Sequence, residues 1–295
     1  MKEIRSAKKG EMVRQKEIWK LCFGDKDSYI DFYYAHRYKE DETLLLLQDG
    51  EISAMLTLMP VKVIAPDNRS FDAVMLYAIA THPQYQNKGF ATQLLDFSNR
   101  YLRSKNITLS ILVPAEKQLF DFYRKQGYQD GFYLREARLT REMIERLPLR
   151  KSCKGTIFSI IPQEYNKRRN KQLNGKLYTA YTDKDIAYQK KLSEQSGAEI
   201  YALDFEKIQG CLAVERMTPD KLLIKEILLP GELINGALKQ IAQILDAKEY
   251  IVRTPAYLGE DLGGVIRPFG MIRILKKNNV EIAAKQSGYL GLAFD

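Results

Sequence analysis

The run HPQYQNKGFATQLL, His82 to Leu95, carries residue types suited to holding an anion. Gln86, Asn87, Lys88 and Gly89 form a short polar loop between an apolar stretch ending at Thr81 and an amphipathic one starting at Phe90. A helix beginning there leaves about four backbone N–H groups without intrahelical partners and carries roughly half a positive charge at that end. A phosphate or pyrophosphate fits such a terminus. Gly89 removes a Cβ where an anion must approach the backbone, and Lys88 adds charge. The loop contains neither GxGxxG nor GxxxxGK followed by Ser or Thr, so it is neither a dinucleotide fingerprint nor a P-loop. The alternative is an ordinary strand–loop–helix corner with one glycine.

The elements that must position this loop are legible around it. A strand runs from about Val74 to Thr81, and the following helix, to about Arg103, buries Phe90, Leu94, Leu95, Tyr101 and Leu102. NITLSILVP reads as a buried strand and AEKQLFDFYRKQ as a helix stopped by Gly127. Upstream, a short first strand is followed by two helices, VRQKEIWKLCFGD and SYIDFYYAHRY. A hairpin then turns at Asp49-Gly50, a type I′ signal, and PDNRS makes the next turn. YLREARLT closes a β-α-α-β-β-β-α-β-α-β order. This is an α/β (α+β) pattern with a mixed central sheet flanked by helices.

Beyond Arg141 the texture becomes basic and poorly periodic, which reads as a linker or surface crossover over 141–175. From 176 to 295 a second αβ pattern repeats the order helix, hairpin, strand, helix, strand, with FGMIRIL and YLGLAFD as late strands. Three segments are therefore expected: 1–140, 141–175 and 176–295. The run NKRRNK, Asn166 to Lys171, lacks interleaved aromatics and reads as solvated surface rather than a nucleic-acid footprint.

The chain has 295 residues, 45% hydrophobic and 28% charged, which suits about two globular domains. Its net charge of +9 favours anionic partners without choosing among them. The charged start has no signal-peptide h-region, and no apolar run reaches membrane-spanning length. Cys22, Cys153 and Cys211 are sparse and unpaired in spacing, and only His36 and His82 are present. No disulfide framework or metal site is expected, and a reducing cytosolic setting follows.

THPQYQNKGFATQLL resembles motif A of the GNAT-superfamily N-acetyltransferases, Q/R-x-x-G-x-G/A, with Gln86, Gly89 and Ala91 at its positions. VPAEKQLFDFYRKQGYQ resembles the downstream strand and helix, in which a Tyr lies four residues before a Gly-Phe/Tyr pair; Tyr123, Gly127 and Tyr128 fill that pattern. The wording is most similar to the Eis-like branch, built from tandem GNAT-type units. The resemblance covers about residues 1–140 and extends further only by element order, so the second unit is expected to be a degenerate GNAT-like domain.

This resemblance implies acetyl-CoA as cofactor, with no metal. The strands VMLYAIAT and LSILV would splay to admit the pantetheine arm, which would pair with backbone near Ile79, Ala80 and Thr81. The pyrophosphate would lie on Gln86, Asn87, Lys88, Gly89, Phe90, Ala91 and Thr92. By family position Tyr123 would act as general acid on the thiolate; its alternative is a core aromatic beside Leu119, Phe120 and Phe122. Family members often carry a Glu on the strand before motif A, but VMLYAIAT has no acid, and Asp72 sits at its far end. His82, beside Pro83, reads as structural. In Eis-like enzymes the chain's own C-terminal carboxylate reaches the active site, which points to Asp295. The aromatic helix DSYIDFYYAHRY would flank the acceptor.

The expected function is acetyl transfer to a primary amine by direct attack in a ternary complex. The acceptor would be a small molecule or peptide, with no nucleic acid and no membrane span, and a homo-oligomer is left open. Two other classes remain at this stage: a tandem-GNAT aminoacyl transferase, and a non-catalytic acyl-CoA-binding scaffold. KEILLPGELINGALKQIAQIL stands where motif A would recur and lacks it, so the second unit is not expected to bind CoA.

Overall fold

The computed structural model describes residues 1–149, 155–276 and 287–294. The chain begins with β1 (Lys2–Ser6), α1 (Met12–Phe23) and α2 (Asp27–His36), followed by β2 (Thr43–Gln48), β3 (Glu51–Ile64) and β4 (Ser70–Thr81). Next come α3 (Phe90–Ser104), β5 (Leu109–Leu112), α4 (Leu119–Lys125) and β6 (Gln129–Thr140). It continues through α5 (Arg141–Arg146), β7 (Gly155–Ser159), α6 (Pro162–Gln172), β8 (Tyr178–Ala180) and α7 (Asp183–Gln195). The remaining elements are β9 (Ile200–Phe205), β10 (Ile208–Thr218), β11 (Lys221–Leu228), α8 (Gly231–Ile244), β12 (Glu249–Pro255) and β13 (Val265–Ile274). Two compact units result. Among the described residues, the first comprises Met1–Lys62, Phe71–Gln129 and 271–276, the second Val63–Ser70, 130–149, 155–270 and 287–294.

In the first unit the strands run β1-β2-β3-β4-β5, with the last residues of β13 on β5. The β2–β3 hairpin turns at Asp49 (φ 53°) and Gly50 (φ 87°), the pair of positive φ values that a type I′ turn demands. β4 and β5 pair in parallel from Ala73↔Leu109 to Leu76↔Leu112, while β4 runs on to Thr81. α3 lies on this sheet through Phe90, Leu94, Leu95 and Leu102, each buried. They meet Leu44, Leu56, Val74 and Leu76 from the strands. Each such side chain contributes about 1.5–3 kcal/mol on burial. The expected helix face holds, except that Tyr101 is only half-buried, and Ser98 and Asn99 take the inner positions instead.

In the second unit the order is β6-β12-β11-β10-β9-β7. The element order α7, β9–β10 hairpin, β11, α8, β12 matches the expected repeat. Two readings need correction. The run Asn166–Lys171 is solvated surface only in part: it lies in α6, where Lys167 and Lys171 are exposed but Arg168 is 5% and Arg169 0% exposed. Arg169 faces Glu226, also fully buried, with Nε donating to its two carboxylate oxygens at 3.0 and 3.1 Å. Arg169 also donates to Thr179 O (2.7 Å) and Leu290 O (3.0 Å), and Tyr165 OH donates to Glu226 Oε1 (2.8 Å). A guanidinium can enter a core when its nitrogens find acceptors, and here Nε, Nη1 and Nη2 each have one, on Glu226, Thr179 and Leu290.

The second correction concerns YLGLAFD. Only Gly288 and Tyr289 form bridges, to Phe132 and Tyr178; the following residues are irregular, with Gly291 (φ 71°) and Phe294 (φ 60°) left-handed. Phe294 is buried, its ring 5.3 Å from Tyr181 and 5.9 Å from Tyr188.

No helix among the described residues is long and apolar enough to cross a membrane.

Candidate active site

β4 leaves the regular strand conformation at Ala78, whose φ is +49°. A side chain at positive φ inside a strand is uncommon and costs about 1–3 kcal/mol. The distortion follows directly after the last β4–β5 pair, at Leu76↔Leu112, so the two strands part where Tyr77 to Thr81 continue. β5 itself ends at Leu112, so β4–β5 pairing stops within the stretch where VMLYAIAT and LSILV are expected to diverge. Ala80 is buried, whereas Ile79 and Thr81 are half-buried. The Thr81 carbonyl is engaged by Gln86 Nε2 (3.1 Å) and by the Cys22 thiol (3.2 Å).

The loop after β4 is built from several local devices. His82 is buried, and its Nδ1 accepts the Gln84 N–H at 3.3 Å, capping a 3-10 turn over Pro83–Tyr85; this is the structural role expected of it. Gln86 staples the loop back to Thr81. Asn87 (φ 60°) and Gly89 (φ 74°) are both left-handed, and Gly89 is the N-cap of α3. No side chain caps the first turn of α3. Its N–H groups at Phe90, Ala91 and Thr92 are thus of the kind that suits an anion. A Cβ on Gly89 would meet nothing closer than Gln93 Nε2 at 3.7 Å, so the conformation, not crowding, selects glycine there. Phe90 is buried and stacked on Tyr85 (5.8 Å between centroids), which leaves only its backbone for a ligand. The Lys88 ammonium lies 5.2 Å from the Tyr85 ring and lines an open groove of about 650 Å³.

Tyr123 stands on α4, and the helix end explains the Tyr-Gly-Tyr spacing. The Tyr128 N–H donates to Tyr123 O (3.1 Å) and the Gly127 N–H to Arg124 O (2.9 Å), with Gly127 at φ 79°. This is a Schellman motif, in which the residue four before the glycine accepts from the residue after it. Its hydrophobic contact is the edge-on pair Tyr123–Tyr128, 6.1 Å between centroids. Tyr128 OH in turn shares a hydrogen with Ser110 Oγ on β5 (2.7 Å) and donates to Asn99 Oδ1 on α3 (3.2 Å). Gln126 Nε2 donates to Thr92 Oγ1 at 3.4 Å. Loop, α3 and α4 are therefore tied into one constellation, and Asn99, Ser110 and Gln126 are members that motif reading missed. Burial of Tyr123, with a smaller contribution from neighbouring Tyr128, holds its hydroxyl well above the usual phenol range, so it keeps its proton. Tyr128 is pushed up to about 12, again by burial.

The aromatic residues of α2 divide into two groups. Tyr33 and Tyr34 are core, packed on Trp19 of α1, a residue absent from the sequence-level site. Tyr29 is half-buried and its hydroxyl is 3.1 Å from that of Tyr77, next to the Ala78 distortion. Asp72 is indeed remote, 3.7 Å from Lys62 at the far end of β4. Asp295 lies outside the described residues, as does Cys153. Among the described residues no group of three His, Cys, Asp or Glu side chains could hold a metal.

The family described as acetyltransferase (GNAT) domain matches residues 3–130. No curated protein matches the chain by sequence. Among solved structures, a GCN5-related N-acetyltransferase from Anabaena variabilis is similar at a TM-score of 0.74 and 15% identity, over 94% of this chain and 73% of that one. Eis1 from Mycobacterium abscessus is similar at 0.67 and 11%, over 93% and 74%. A tandem GNAT protein from the clavulanic acid biosynthesis pathway is similar at 0.56 and 11%, over 95% and 100%. These likenesses concern the fold. They run past the GNAT domain and take in the second unit, so the chain has the fold of the tandem GNAT proteins. In that second unit β11 ends at Leu228 and α8 starts at Gly231, and the motif A loop has no counterpart between them.

Proposed function

We propose that the protein is an acetyl-CoA-dependent N-acetyltransferase that transfers acetyl to a primary amine by direct attack in a ternary complex. The observation that carries this reading is the parting of β4 and β5 beside an uncapped α3 terminus, with a protonated tyrosine on the next helix. The donor set fits the cofactor. The N–H groups of Phe90, Ala91 and Thr92 hold its pyrophosphate, Gly89 lets the backbone approach, and Asn87 and Lys88 complete the loop. Ile79 and Ala80 lie along the pantetheine arm in the manner of an added strand. Acetyl-CoA supplies a thioester carbonyl open to an amine. A backbone N–H of the Ile79–Thr81 segment polarises that oxygen. Tyr123 holds a proton at its hydroxyl for the departing sulfur. The acceptor must lose a proton first, because alkyl amines are mostly protonated near neutral pH; the base does not come from β4. The degenerate second unit, whose β11 meets α8 without a motif A loop, is not a second cofactor site and instead walls the acceptor pocket or provides an oligomer surface.

Isothermal titration with acetyl-CoA and desulfo-CoA tests the reading. Wild type is expected to bind both, and Gly89→Glu to weaken binding roughly 10- to 100-fold, by placing a carboxylate where a charge-assisted hydrogen-bonding surface receives the pyrophosphate. No binding by wild type would sink the proposal. Binding without turnover over a broad amine panel would turn it towards an acyl-CoA-binding scaffold. Tight RNA binding with steep salt dependence would favour aminoacyl transfer.

A further inference from the structure

We infer that Arg273, on the strand β13 that pairs with β5, is a positioning residue for Tyr123. This rests on the reading of Tyr123 as the proton donor. Arg273 Nη1 donates to Gln126 O at 2.6 Å. Gln126 is the C-cap of α4, and the Schellman bonds engage the carbonyls of Tyr123 and Arg124, so the arginine takes a carbonyl that those two bonds leave out. A cation at that end also faces the negative pole of the helix. The guanidinium lies 6.0 Å from the Tyr128 ring centroid, within cation–π reach. A Cβ on Gly127 would sit 3.4 Å from Arg273 Cζ, so the plane is seated directly against the left-handed residue of the motif.

The consequence is mechanical. The turn from Tyr123 to Tyr128 is bonded at its inner carbonyls by its own backbone, at Tyr128 OH by Ser110 and Asn99, and at its outermost carbonyl by Arg273. Without the guanidinium, the last turn of a helix of only 7 residues has its final carbonyl open and one face of Tyr128 uncovered. The Tyr123 side chain projects from that last stretch of helix. Small displacements of a proton donor are costly to rate, whereas the first turn of α3 is joined to this turn only by the long Gln126–Thr92 side-chain bond of 3.4 Å.

The test is a double-mutant cycle with Tyr123→Phe, Arg273→Ala and the pair. Hydroxylamine serves as a small acceptor that is largely unprotonated at neutral pH, and turnover is read as free CoA thiol above the uncatalysed reaction. Arg273→Ala is expected to lower kcat roughly tenfold, with KM for acetyl-CoA changed by less than about twofold. In the Tyr123→Phe background the same change should have almost no further effect, because the arginine acts through the tyrosine. Arg273→Lys should recover part of the rate, since an ammonium can reach the carbonyl but has no plane to lay on Tyr128. Thermal melts of all variants separate this from a general loss of fold.

An additive fall in kcat in both backgrounds, or a fall that follows the melting temperature, would assign Arg273 a purely structural role and overturn the inference. An unchanged kcat for Arg273→Ala beside a slow Tyr123→Phe would overturn it while leaving Tyr123 in place. An unaffected Tyr123→Phe, or no turnover by wild type, would remove the Tyr123 reading and this inference together.

Discussion

Tyr123→Phe is expected to lower kcat by about 10²-fold or more, with acetyl-CoA affinity within about twofold of wild type. The substitution keeps the ring that packs edge-on against Tyr128 and removes only the hydroxyl. Among the described residues that hydroxyl has no hydrogen-bond partner, so its loss leaves no orphaned acceptor behind. Stability should therefore be preserved, which makes the variant a clean probe of proton transfer. Because burial holds the phenol above its ordinary range, the hydroxyl stays protonated through neutral and mildly alkaline pH. The rate should show no downward limb from Tyr123 below about pH 10, the ordinary tyrosine value. Steady-state kinetics from pH 6 to 9.5 measure both points. An unchanged kcat would return Tyr123 to the core, as one more aromatic beside Phe122.

The largest expected effect on stability lies in the second unit. Arg169→Met should destabilise it by about 3–5 kcal/mol, because Glu226 is left charged and buried without its partner. The cost is increased at the Thr179 carbonyl, which loses its arginine donor, while the Leu290 carbonyl keeps the Tyr181 hydroxyl. Replacing both partners, with Arg169→Met and Glu226→Leu together, should recover a good part of the loss, since a buried pair is often no better than apolar residues of similar volume. Chemical denaturation of the three variants provides the comparison. Equal destabilisation by the single and double changes would mean that capture of the tail carbonyls, not the ion pair, is what Arg169 contributes.

These two residues also mark how far sequence reasoning reached. The first unit was legible because its signals are local. Asp49-Gly50 dictates its own turn, α3 has a one-sided apolar face, and Gly127 with Tyr128 closes α4 within six residues of Tyr123. The second unit could be read by element order, yet its basic helix could not. Nothing near Arg169 in sequence announces that Glu226, 57 residues away, and Leu290, 121 residues away, will satisfy it. Charge density in a window predicts solvation unless the compensating groups are also in the window. Arg273 was missed for the same reason, since its acceptor on Gln126 is 147 residues distant. Within the site, Phe90 was read as a ligand contact although its ring is a core anchor, because motif position does not separate a side chain from its backbone N–H.

Ala78 has a bearing on how this protein would respond to engineering. Its left-handed backbone is a conformation that glycine adopts at little cost and alanine does not. Ala78→Gly should therefore raise the melting temperature by a few degrees, corresponding to about 1 kcal/mol gained, against the entropy glycine adds to the unfolded chain. The same change would free the strand to sample more than one path at the gap. A screen rewarding heat resistance alone would select glycine at this position, and one that also counted turnover would reject it. The alanine trades some thermal resistance for a single backbone path at the end of β4.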